Sequence, residues 1–207
     1  MFYILLTQNE KTNLVETLYS CKSFNFEKHT LSSGKISPYY IDLRLLQSDI
    51  QSYKFIIDIY LKLINFVGVD SFDYICGVAS SGLVFSAPIS LKIDKPHIYV
   101  RKSQKKYGRQ KNLEGSISNN SRILLIDDVF TSGSSLLESI DIIYDSGGII
   151  SNAIVLIDRL ETNHSIFSKS NVNLISALSI FDIANILNSR SLISLEQKNL
   201  MLNEIKI

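Results

Sequence analysis

Residues 122–136 read RILLIDDVFTSGSSL, and the order of residue types in this stretch decides the fold. Ile123 to Ile126 is an uninterrupted apolar run of the kind found in parallel strands covered on both faces. Two adjacent acids follow, then small hydroxyl residues and glycine, then Leu136, Leu137, Ile140 and Ile143 at helical spacing before Gly147-Gly148. The stretch therefore predicts a strand, a turn and a helix. Two like charges side by side repel, so Asp127 and Asp128 are not expected to be buried without a cation or a hydroxyl-bearing partner.

The same alternation runs outward on both sides. Upstream, Leu14, Val15 and Leu18 mark a helix over 11–19, and Phe55, Ile56, Ile59, Leu63 and Phe66 mark another over 52–67 that stops at Gly68. A strand is predicted over 74–78, a small-residue turn over 79–82, a helix to Ile93 in which Pro88 argues against a straight course, and a strand over 97–100. Downstream, strands are expected over 149–157 and 172–178, with helices over 183–187 and 192–202. Residues 30–45 differ: Ser33-Gly34-Lys35 is a turn signal and Pro38 to Leu43 are strand-forming, which suggests a small β element outside the main sheet. Repeated strand, turn, helix order predicts an α/β fold, a doubly wound and mainly parallel sheet. One domain is expected over 1–207, with residues 1–45 contributing a helix and a small N-terminal hood. Ligands of such sheets bind beyond the carboxyl ends of the strands. That rule gathers the 79–82 turn, the 127–135 turn and Asp158-Arg159 on one edge.

Composition narrows the function classes. The chain has 207 residues and net charge +1, with 45% hydrophobic and 20% charged residues, which points away from disorder and from a broad basic surface for nucleic acid. Positive charge is instead local: Arg101, Lys102, Lys105, Lys106, Arg109 and Lys111 lie in a stretch without aliphatic side chains, an exposed loop. Cys21 and Cys76 are expected to be reduced thiols, since no CxxC or neighbouring histidine suggests zinc. The start MFYILLTQNEKTN lacks a basic n-region, and no run approaches the roughly 18 apolar residues of a membrane span, so a cytoplasmic protein is expected.

As chemistry, the turn after Ile126 is an anion site. Thr131, Ser132, Gly133, Ser134 and Ser135 offer backbone N–H groups and hydroxyls at the positive end of a helix. Asp127 and Asp128 stand where they can accept hydrogen bonds from sugar hydroxyls or help neutralise magnesium. Sugar and phosphate together describe a ribose 5-phosphate. No Gly-Lys-Ser/Thr follows the strand, so this is not a Walker loop. The plainer alternative is an acidic strand end followed by a serine helix cap.

The run LLIDDVFTSGSS resembles the phosphoribosyl pyrophosphate (PRPP) signature of type I phosphoribosyltransferases. Three further segments resemble those of orotate phosphoribosyltransferases: TLSSGKISPYYIDLR at 30–44, YVRKSQKKYGRQKNLEG at 99–115 and VLIDRLE at 155–161. This resemblance implies the type I phosphoribosyltransferase fold and transfer of phosphoribose from PRPP to orotate in pyrimidine synthesis, with Mg2+ carried mainly by PRPP rather than by a dedicated protein site. It implies PRPP binding by Arg101, Lys102, Lys105 and Tyr107 and by Asp127, Asp128, Val129, Phe130, Thr131, Ser132, Gly133, Ser134 and Ser135. Lys105, Asp127 and Asp128 would have catalytic roles, and Thr131 and Arg159 would contact orotate. A guanidinium can hold a carboxylate bidentately, which suits Arg159. The resemblance also implies a homodimer in which the basic loop serves the neighbouring subunit's site; no nucleic acid or membrane partner is expected.

The chain departs from the family pattern at Ser32, Ser81 and Tyr107, where lysine, lysine and histidine are common. His29, His97 and His164 are scattered and are read as structural, and no histidine adjoins Ser80 or Ser81 in sequence to suggest a nucleophile. Two other readings stand beside the leading one: a phosphoribosyltransferase for another base, against which Arg159 argues, and a non-catalytic sensor, against which the basic loop argues.

Overall fold

A computed structural model describes residues 5–27, 29, 30, 36–101 and 112–205. In chain order its elements are α1 (Gln8–Ser20), β1 (Phe24–Asn25), β2 (His29–Thr30), β3 (Ile36–Ser37), β4 (Tyr40–Ile41), α2 (Ile50–Val67), β5 (Tyr74–Val78), α3 (Ser81–Lys92), β6 (His97–Val100), β7 (Leu113–Glu114), β8 (Arg122–Ile126), β9 (Val129–Phe130), α4 (Ser134–Asp145), β10 (Ile149–Asp158), β11 (Asn173–Ser179), α5 (Ile180–Ser189) and α6 (Leu195–Leu202). Short 3-10 helices cover Leu43–Ser48, Val69–Ser71 and His164–Phe167.

Among the described residues the main sheet runs β11-β10-β8-β5-β6-β7, with β9 also paired to β10. All its pairings are parallel except β6 with β7. From β5 the chain steps to β6 on one side, whereas β8, β10 and β11 are laid down successively on the other. The order therefore reverses between β5 and β8, and a crevice opens beyond their carboxyl ends, at Val78 and Ile126.

Alternation along β8 explains its apolar run. Leu124 and Ile126 join a core with α1, α2, α3 and α5, while Ile123 and Leu125 join a second core with α4 on the opposite face. Cys76, in the middle of β5, is wholly buried in that second core, and burial pushes its thiol far above the ordinary range. Both cysteines are free, as expected. No helix among the described residues is long and apolar enough to cross a membrane.

Two local outcomes differ from the sequence expectation, at the hood strand and at the start of α2, whereas the helix expected to Ile93 forms as α3. Helix α3 continues through Pro88, which cannot donate to the carbonyl of Val84. The hydroxyl of Tyr53 on α2 donates to that carbonyl instead, so the proline leaves no acceptor stranded. The strand expected over 38–43 shrinks to Tyr40–Ile41, because the Asp42 side chain accepts from Arg44 N and starts a 3-10 turn. Helix α2 starts two residues early, at Ile50, where Asp49 caps it through Ser52 N. The small pairs β1–β4 and β2–β3 lie outside the main sheet and form the hood.

Candidate active site

The acidic pair sits at the reversal point. Asp127 N donates to Ile154 O of β10 at 3.0 Å, while Asp128 O accepts from Leu156 N and Ile157 N. Each carboxylate also secures the next peptide: Asp127 Oδ1 accepts from Asp128 N and Asp128 Oδ1 from Val129 N, both at 2.9 Å. Buried Tyr60 donates its hydroxyl to Asp127 O at 2.8 Å, so α2 fixes the turn from below. Burial pushes the Asp128 carboxyl above its usual range, opposed by hydrogen bonds from Asp127, nearby backbone and the Ser81 side chain.

A hydroxyl partner comes from within the protein. Ser81 opens α3 and supplies the hydroxyl; Arg44, in the 3-10 turn behind the hood, has its pKa raised by Asp42 first and also by Asp128. Arg44 grips Asp42 with two donors at 2.8 Å and reaches Tyr40 Oη at 3.3 Å, which holds the Asp42 carboxyl below its ordinary value. Helix α3 approaches this turn closely: a Cβ on Gly82 would stand 2.5 Å from Ile126 O, so only glycine fits. The peptide Ala79-Ser80 preceding it is cis.

Beyond the acids lies a cavity of about 70 Å³ lined by Asp127 and residues 129–136. Gly133 caps α4 at φ +77° without a side-chain hydrogen bond; the N–H groups of the first turn have no helical partner, and Ser134 N donates to Ser132 Oγ at 3.4 Å. Ser132 Oγ and Ser134 Oγ lie 3.0 Å apart at the rim. These donors and this size suit a phosphate. Thr131, Ser132, Gly133, Ser134 and Ser135 thus gather as the sequence reading proposed. Val129 and Phe130 also line the cavity, and the ring of Phe130 packs against Phe167 and His164.

Arg159 N donates to Phe130 O at 3.0 Å, which ties the end of β10 to the residue before Thr131. The Arg159 side chain is 2% exposed, with Nε 2.7 Å from Glu161 Oε1 and Nη2 donating to Ser37 Oγ at 2.8 Å. Its guanidinium lies 4.2 Å from the centre of the Tyr39 ring. Burial pushes the Tyr39 hydroxyl up to about 12, while the Arg159 charge pulls it down.

Arg101, at the end of β6, ion-pairs with Glu114 of β7 at 2.7 Å. Lys102, Lys105 and Tyr107 lie outside the described residues, as do Ser32 and Lys35. His164 Nε2 meets the buried Asp158 Oδ2 at 2.6 Å, and the other Asp158 oxygen accepts from Leu160 N. The serine that His97 contacts is Ser86, at 2.8 Å, rather than Ser80 or Ser81. Arg44, Tyr60 and Glu161 carry no role in the sequence reading, and His164 is read there as structural. Arg44 and Glu161 ended quoted motifs, but only the fold brings Arg44 near Asp128 and turns Glu161 back onto Arg159.

Residues 48–178 match the phosphoribosyl transferase domain family. An orotate phosphoribosyltransferase of Staphylothermus marinus is 38% identical over 180 residues, covering 87% of each chain. The chain belongs to the orotate phosphoribosyltransferase family. A second relative of that name, from Sulfurisphaera tokodaii, is 37% identical and covers 90% of this chain and 94% of that protein. The crystal structure of orotate phosphoribosyltransferase from Aeropyrum pernix superposes with a TM-score of 0.72 at 31% identity, over 86% of this chain and 99% of that one. The orotate phosphoribosyltransferase family thus accounts for the mainly parallel sheet and its flanking helices.

Proposed function

We propose that the protein transfers the 5-phosphoribosyl group of PRPP to orotate, giving orotidine 5′-monophosphate and pyrophosphate, a step of pyrimidine synthesis. The observation that supports this reading is the backbone bond from Arg159 N to Phe130 O, which brings the end of β10 next to the residues lining the phosphate cradle. In this reading residues 131–135 hold the 5′-phosphate, and Asp127 and Asp128 accept hydrogen bonds from the ribose hydroxyls. Thr131 and Arg159 contact orotate, while Arg101, Lys102, Lys105 and Tyr107 take the pyrophosphate end.

The reaction needs no protein nucleophile. A ring nitrogen of orotate attacks the anomeric carbon as its bond to the pyrophosphate oxygen breaks, and cationic side chains stabilise the charge that departs. Lys105 contributes there, and a covering basic loop keeps out water that would hydrolyse the activated sugar. Among the described residues no cluster of three His, Cys, Asp or Glu side chains stands ready to hold a metal ion. Magnesium is commonly bound by one or two carboxylates and substrate phosphates, a pattern that the adjacent Asp127 and Asp128 fit. When bound with PRPP it supplies charge neutralisation at the leaving group. The working form in this proposal is a cytoplasmic homodimer whose basic loops serve neighbouring sites.

The test is to mix purified protein with orotate, PRPP and magnesium and to follow orotate loss and pyrophosphate release. Turnover with uracil or a purine but not with orotate would sink the proposal. Arg159→Ala is expected to weaken orotate far more than PRPP, and equal loss for both would refute its role.

A further inference from the structure

We propose that Glu161 is a positioning residue that selects which edge of the Arg159 guanidinium is offered to the carboxylate of orotate. The inference rests on the reading of Arg159 as the carboxylate reader and adds the device that aims it.

A guanidinium can grip a carboxylate end-on, through Nη1 and Nη2, or side-on, through Nε and one Nη. Glu161 stands 2.7 Å from Nε, and Ser37 takes a hydrogen from Nη2 at 2.8 Å. The side-on edge is therefore faced by the Glu161 carboxylate as an ion pair, without a hydrogen bond from Nε, and by Ser37; among the described residues no hydrogen bond is made by Nη1. The end-on pair remains for the substrate. Tyr39, with its ring 4.2 Å from the guanidinium, fixes the plane in which that pair lies.

The local backbone is built to deliver Glu161. Leu160 adopts φ +55°, a left-handed conformation that is strained for a side-chain-bearing residue. That turn is secured by Asp158, whose Oδ1 accepts from Leu160 N at 2.8 Å while Oδ2 meets His164 at 2.6 Å. With side-chain exposures of 2% and 5%, Arg159 and Glu161 are shielded from water, so neither reorients freely.

Two substitutions separate aim from charge. Glu161→Asp keeps the charge and withdraws the carboxylate by one methylene; Glu161→Gln removes the charge and keeps an oxygen at the same reach. The measurement compares equilibrium binding of orotidine 5′-monophosphate with that of uridine 5′-monophosphate, which lacks the carboxylate, alongside steady-state constants for orotate and PRPP. We expect Glu161→Asp to lose about tenfold in orotidine monophosphate affinity, and likewise in KM for orotate, with uridine monophosphate binding and the KM for PRPP unchanged. Glu161→Gln should recover most of the difference. Loss in Gln but not in Asp, equal loss in both, or no loss in Asp would each overturn the proposal. Unchanged uridine monophosphate binding reports an intact fold. A wild-type protein that neither turns over orotate nor prefers orotidine monophosphate would instead defeat the underlying reading.

Discussion

At the scale of single residues, the sharpest consequence belongs to Asp128. Its folded pKa lies above the ordinary carboxylate value of 3.8 because burial penalises its charged form. Native protein therefore holds more protons at this position than unfolded chain as pH rises above about 4, so stability falls with rising pH until the folded pKa is passed. Below the ordinary value both states are protonated and the penalty is absent. We expect Asp128→Asn to melt higher than wild type at pH 8 and to lose that advantage as pH falls through the carboxylate range. The same substitution should lower turnover by about 10- to 100-fold, the worth of a hydrogen bond to a charged acceptor. Thermal melts across pH and steady-state rates check both halves; a variant no more stable at pH 8 would refute the burial penalty. Such opposition of stability and activity is expected where binding groups are held ready for a ligand.

At the scale of elements, two supports of the turn can be tested. Gly82→Ala sets a Cβ against the backbone oxygen of Ile126, which no side-chain adjustment relieves. We expect a loss of about 1–3 kcal/mol in denaturant unfolding, with weaker PRPP binding as α3 is pushed from β8. The 3-10 turn after β10 braces the cradle from the other side, with Ile166 packed close to Gly133 and His164 edge-on to Phe130. His164→Ala leaves buried Asp158 one partner short, and we expect it to cost about 1–3 kcal/mol in the same assay. An unchanged midpoint would show that water replaces the imidazole. These supports mark where sequence reading stopped. The strand, turn and helix around Asp127 were legible because hydrophobic periodicity and the acidic pair are local signals. The service of Val84's carbonyl by Tyr53, the approach of Arg44 to Asp128 and the return of Glu161 onto Arg159 depend on contacts between distant elements or on one unusual backbone angle. The hood lies outside the sheet as the sequence predicts, yet its strand is shorter than expected, since the Asp42 cap outweighs the β propensity of Leu43.

At the scale of the whole molecule, the reversal of strand order between β5 and β8 sets the site where two turns and the hood meet. Arg101 and Glu114 flank the basic loop from adjacent antiparallel strands, which anchors both ends of that segment on the sheet. If the loops act across a homodimer, a Lys105→Ala subunit coexpressed with an Asp128→Asn subunit should recover up to about a quarter of wild-type activity, the share of sites drawing both intact parts in a random mixture of subunits. No recovery in purified heterodimer would argue against sharing. The buried thiol of Cys76 has a separate use. It lies at the middle of the strand from which both halves of the sheet are built, and its raised pKa leaves it unreactive while that strand is covered. Alkylation of Cys76, set against that of half-buried Cys21, therefore times how often the centre of the molecule opens, a clock written into the native sequence that PRPP binding should slow.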